Sequence, residues 1–161
     1  MNTSVTRGLA ATSLALGALA AATPAATAAS ARPEPINASF TATCPGFDAE
    51  VQASGMIGVI NLPGDRQFLT GPNLRVTVTG PGGSVSYVVT GLTMFQNLPG
   101  GGQFVTATGT NLITVPDANG HLAGLYYTRG KVSWTLDKDG HEVGGMFTGS
   151  GTVTDVCAAI S

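Results

Sequence analysis

Charge is scarce in this sequence. Only 10% of its 161 residues are Asp, Glu, Lys or Arg, against about a quarter in an average domain. Seven basic and nine acidic residues leave a net charge of −2. No basic field exists to attract nucleic acid or an anionic membrane, so neither is expected as a partner. Histidine is reduced to His121 and His141, and cysteine to Cys44 and Cys157. Two cysteines without clustered histidines make a poor metal set. A helical period is missing as well: from Phe40 onward no segment repeats apolar residues every 3.6 positions. What the chain has instead is 43% apolar residues and 23 glycines, which excludes a disordered acidic tail and a coiled coil.

The first 31 residues read as a secretory leader. Arg7 and the free amine precede an apolar, Ala- and Leu-rich stretch from Gly8 to about Ala22. Small residues follow, and Ala29-Ser30-Ala31 is the favoured cleavage site, ahead of Ala26-Thr27-Ala28. The apolar run is too short to span a bilayer stably. No twin Arg and no lipid-anchoring Cys accompany it. The expected product is a released, extracellular chain of about 130 residues, one ordinary domain. In an oxidising exterior, Cys44 and Cys157 are expected to form one disulfide.

The remainder divides into a flexible lead-in over 32–39, with Pro33 and Pro35, and an all-β domain over 40–161. Period-two alternation is the main signal. Phe47, Ala49, Val51 and Ala53 alternate with Asp48, Glu50, Gln52 and Ser54. Leu74, Val76 and Val78 alternate with Arg75, Thr77 and Thr79. Val105, Ala107 and Gly109 share one parity, as do Tyr126, Val132, Trp134 and Leu136, and then Val143, Phe147, Val153 and Cys157, with Glu142, Thr148, Ser150, Thr152 and Thr154 on the wet parity. One wet and one buried face indicate antiparallel strands. Turn chemistry separates them at Pro63-Gly64, Pro81-Gly82, Pro99-Gly100, Asn119-Gly120 and Asp137–Gly140. Between Val85 and Leu98 the apolar parity switches at Gly91, which predicts a bulge or bend there. The sum is a single antiparallel meander of seven to eight strands, a small barrel or sandwich. In it Cys44 lies just before the first strand and Cys157 on the last.

Chemistry is thin. His121 and His141 follow Asn119-Gly120 and Asp139-Gly140 and read as solvated turn residues. Gly149-Ser150-Gly151 lacks the G-x-S-x-G spacing of a nucleophile elbow. Asp155 is the one acid on an apolar parity, and an inward carboxylate there would be a perturbed group. A place past the core is the plainer reading. Asp137-x-Asp139-Gly140 and Asp117-x-Asn119-Gly120 fail as calcium loops, because Met146 and Tyr126 stand where a carboxylate is needed. No catalytic, cofactor or metal site is expected.

Three binding features stand beside these. Thr rows at Thr77/Thr79, Thr106/Thr108/Thr110 and Thr152/Thr154 occupy the wet parity. They suit a sugar or polymer surface, and equally an ordinary exposed strand. Phe104, Leu112, Leu125 and Tyr127 fall on the polar parity beside Arg129, and would form an interaction patch if their strands are neighbours. Gly145 and Gly149 lie on an inward parity, leaving space near Tyr126 and Trp134 for a small apolar ligand unless those rings fill it.

Cys44-Pro45-Gly46-Phe47-Asp48, Leu62-Pro63-Gly64, Leu74–Thr79, Tyr87–Gly91, Ala107–Leu112 and Val156-Cys157 together resemble a group of small secreted actinobacterial proteins. The resemblance covers nearly all of the exported chain, but its motifs are structural. That group has no assigned activity. The resemblance implies export and a Cys-to-Cys domain, and nothing about catalysis. The leading expectation is a non-catalytic extracellular binding or interaction module, whose partner is a protein, a polymer or, in the alternative, a small apolar ligand held in a carrier barrel.

Overall fold

The computed structural model describes residues 32–115 and 123–161. The leader and its cleavage site, the Asn119-Gly120 turn, Asp117 and His121 lie outside the described residues. The described chain is all-β apart from one short helix, and every strand pair is antiparallel. Among the described residues ten strands occur rather than seven or eight. They are β1 (Glu34–Cys44), β2 (Phe47–Leu62), β3 (Arg66–Thr70), β4 (Arg75–Gly80) and β5 (Gly83–Val88). Then come β6 (Leu92–Asn97), β7 (Gln103–Val115), β8 (Gly124–Leu136), β9 (Glu142–Gly149) and β10 (Thr152–Asp155), followed by α1 (Val156–Ala159).

Residues 34–39, expected as part of a lead-in ahead of the domain, belong to a strand. They form the first half of β1, paired with β2 from Glu34↔Ile57 to Cys44↔Phe47. Proline removes a ladder donor but is tolerated on an edge strand, and Pro35 sits on one. Cys44 therefore ends a strand rather than preceding the first.

The meander is also broken. The ladder runs β10-β8-β7-β6-β3-β2-β4-β5, with β1 on β2 and β9 on β8. Long β2 causes this. Its residues 50–54 pair with β4 and its residues 58–62 pair with β3. Gly55 lies between the two halves at φ +142, where the β3–β4 connection crosses it. A Cβ there would stand 2.5 Å from Asn73 O, so only glycine allows the crossing. The phase switch at Gly91 has the same consequence on a larger scale. β5 stops at Val88 and β6 starts at Leu92, and the two strands join different ladders. Among the described residues no ladder joins β5 to β10, so the sheet does not close.

Two buried clusters fill the interior. The first holds Val51, Ala53, Val76 and Val78 from β2 and β4 against Leu125, Val156 and Ile160. The second holds Val105, Ala107, Ile113, Val132 and Trp134 along the β7–β8 hairpin. The expected disulfide is present, with Cys44 and Cys157 Cα atoms 5.6 Å apart. Cys157 lies in α1 and not on a strand. Asp155 caps that helix, accepting from the Ala158 N–H at 3.0 Å.

Candidate binding site

The described chemical candidates, His141 and Asp155, both lie at the surface. His141 sits in the exposed turn after β8, with Nδ1 3.8 Å from Asp137 Oδ2. Asp155 is exposed and committed to its helix cap. Among the described residues no group of three or more His, Cys, Asp or Glu is placed to hold a metal. Asp137 organises the turn, because its Oδ1 accepts from the backbone N–H groups of Asp139 at 2.9 Å and His141 at 3.0 Å. The His141 N–H is the main cause that holds this carboxyl below its ordinary pKa. A depressed carboxylate contributes stability above its unfolded pKa, and that contribution is lost as pH falls through the folded value. Carbon-detected NMR should place the Asp137 midpoint below that of an aspartate in an unstructured peptide. A midpoint at or above that value would show that these bonds do not persist in solution.

The expected interaction patch does not form. Leu125 is 0% exposed, and Leu112 and Tyr127 pack partly buried against the first cluster. The strands are neighbours as supposed, with Leu112↔Tyr127 and Thr114↔Leu125 in register. Their polar-parity face is nonetheless covered by β1, β2, β4 and β5, a layer that periodicity along β7 and β8 cannot reveal. Tyr127 stacks on Tyr87 at 4.3 Å between centroids, and its hydroxyl donates to Val88 O at 3.4 Å. Burial raises the Tyr87 pKa, with Tyr127 adding to it. Phe104, at 37% exposure, and Arg129 are left on the surface without these companions.

The pocket around the inward glycines is filled. Phe147 meets Tyr126 edge-on at 5.5 Å and Trp134 edge-on at 5.3 Å. Gly149 does not line space: at φ +120 its Cβ would strike Lys131 O, so it is a close approach of β9 to β8. Gly145 faces open solvent. Glu142, assigned to the wet parity, is 1% exposed. A register shift between Ser133 and Thr135 reverses the parity of β9, so Glu142 and not Val143 pairs with Leu136 on the Trp134 side. Burial, and then the carboxylates of Asp155 and Glu142, raise the Tyr126 pKa.

The Thr rows part ways. Thr77 and Thr79 lie outward and bond across the strand to Ser86 and Ser84 at 2.9 and 2.8 Å. Thr106 is 8% exposed and bonds Ser133 at 3.0 Å, so it is no part of a wet face.

Space of another kind appears between the two ladders. A groove of about 220 Å³ is walled on one side by Val51, Ala53 and Val76 and on the other by Leu69, Thr93 and Leu112. Ile36 and Phe40 of β1 stand at its mouth. Phe40 pairs with fully buried Val51, yet it is 48% exposed. An aromatic in a core-facing register with half its surface uncovered marks an unfilled interior position. Among the described residues, no charged side chain lines the groove. Its polar points are Thr70, Thr114 and the Thr93–Asn111 pair, in which Thr93 Oγ1 donates to Asn111 Oδ1 at 3.3 Å. A second cavity of about 290 Å³ shares Leu69, Thr93, Leu112 and Thr114 with it and reaches Trp134. The groove was not legible in sequence, because its lining comes from six separate strands and the turns between them. Asn111 was the available signal: an amide on the parity of Ala107 and Ile113, where a core residue belongs. Compared with family models, with curated proteins and with solved structures, the chain matches none of them.

Proposed function

We propose that this protein is a secreted, non-catalytic binding module whose groove between the two ladders takes a small, neutral, apolar ligand. The observation that carries the reading is Phe40, half-exposed at a core-facing position at the mouth of an uncharged groove of about 220 Å³. An apolar lining with a few fixed polar groups is the usual form of a small-molecule site. The absence of charge among the described lining residues selects against ionised ligands, whose desolvation none of those residues would offset. The two ladders with the groove between them correspond to an open form of the small barrel or sandwich expected from the strand pattern. Export is supported by the leader-like start and by a disulfide that an oxidising compartment would preserve. The likeness to small secreted actinobacterial proteins points the same way. The groove is favoured over a protein-docking patch because the residues of that patch are buried or scattered.

Decanol is a suitable probe, since it combines an apolar chain with one hydroxyl. Trp134 is the only tryptophan and lines the connected cavity, so its emission reports occupancy. The expected result is a saturable change in emission. Ala53→Phe should fill the groove and abolish it. Phe40→Ala, at a half-exposed site where folding is little affected, should weaken uptake by roughly five- to tenfold. A linear, unsaturable response, or unchanged uptake in both variants, would overturn the proposal.

A further inference from the structure

A separate depression of about 300 Å³ lies at the end of the fold where β2, β3, β6 and β7 run side by side. Each of these strands contributes one carboxamide to it: Asn61, Gln67, Asn97 and Gln103. The register makes this arrangement. Asn61 pairs with Gln67 across β2 and β3, and Asn97 pairs with Gln103 across β6 and β7. Gln67 also pairs with Phe95, whose ring lines the same depression.

The amides are held in place by each other. Gln67 Nε2 donates to Asn61 Oδ1 at 2.9 Å, and Gln103 Nε2 donates to Asn97 Oδ1 at 3.0 Å. Backbone contacts stiffen the frame, since Asn97 N donates to Asp65 O at 3.0 Å and Arg66 Nε to Pro63 O at 3.2 Å. Each amide pair uses one donor and one acceptor internally. It keeps an amide donor on the Asn and a carbonyl acceptor on the Gln. Two adjacent hydroxyls on a ring need that combination, one accepting and one donating. Pre-ordered pairs lose less side-chain freedom on binding than four independent amides would. Phe95 supplies the apolar surface on which the C–H face of a sugar ring rests. Among the described residues, the charged ones lining the depression are Asp65 and Arg66, of opposite sign.

We infer that this depression is a saccharide subsite, which takes a neutral pyranose ring of a mono- or oligosaccharide between the two amide pairs and Phe95. It is distinct in chemistry from the apolar groove, and it does not depend on that groove being occupied.

The test is titration of the folded, disulfide-bonded protein with cellotriose, maltotriose, xylotriose and mannotriose, with glycerol as a control. Side-chain amide NMR signals of Asn61, Gln67, Asn97 and Gln103 provide the readout. At least one trisaccharide is expected to shift these signals saturably in the millimolar range or below, while glycerol does not. Gln67→Ala and Asn97→Ala remove exposed side chains and should leave the unfolding midpoint nearly unchanged. Each should weaken binding by about tenfold, the effect of losing two hydrogen bonds. Phe95→Leu keeps apolar bulk but loses the flat ring, and should weaken binding similarly. Decanol should not displace the sugar. The inference is overturned if no trisaccharide moves the four amides, if glycerol moves them equally, or if both amide variants bind as the parent does.

Discussion

Removing the disulfide with Cys44→Ala and Cys157→Ala together should lower unfolding stability by about 4 kcal/mol. The bond closes a loop of 113 residues. In the chain-entropy picture, loops of that size restrict the unfolded chain by about 4–5 kcal/mol. Local packing adds a second reason. Both cysteines are 3% exposed, and Cys157 Sγ accepts from the Leu125 N–H at 3.4 Å. The bond ties the end of β1 to α1, whose first residue Val156 and C-cap Ile160 are both fully buried. A domain of this size has only about 5–15 kcal/mol in total, so the loss is a large share. Denaturant unfolding of the parent and the double variant measures it. A difference under about 1 kcal/mol would mean that the unfolded chain is already held by other contacts.

Leu125→Ala should cost about 3 kcal/mol, within the usual range for a buried leucine. Leu125 is 0% exposed and stands beneath Val51 and Val78 of the opposing ladder in the first cluster. Phe104→Ala supplies the contrast. At 37% exposure it should cost under about 1 kcal/mol. The pair is informative because sequence parity puts both residues on the same wet side of a hairpin. Were that assignment right, Leu125→Ala would cost no more than Phe104→Ala. Equal, small effects in denaturant titrations would therefore overturn the covered-hairpin geometry.

Several elements are legible in the sequence itself. Val76 and Val78 alternate with Thr77 and Thr79, and the first pair is buried. Pro81-Gly82, Pro99–Gly102 and Asp137–Gly140 mark turns that join β4 to β5, β6 to β7 and β8 to β9. The parity switch at Gly91 located the point where the chain leaves one ladder for another. Errors arose where a local pattern met a non-local neighbour. Glu142 was misplaced because a register shift against β8 reverses the parity of its strand. Residues 34–39 were read as a lead-in because proline weakens the strand signal, although an edge position accepts it.

The sequence by itself determined the all-β antiparallel class, several of the strands, most of the turns and the disulfide partners. These depend on side-chain alternation, turn residues and cysteine number, all of which are local or countable. Only the tertiary structure decided that β2 serves two ladders, and that a second layer covers Leu125. It alone brought Val51, Leu69 and Leu112 around one groove and four amides around one depression. Period-two alternation assigns a residue to a face of its own strand. It carries no information on what lies across that face, because cover and register depend on contacts between residues far apart in the chain.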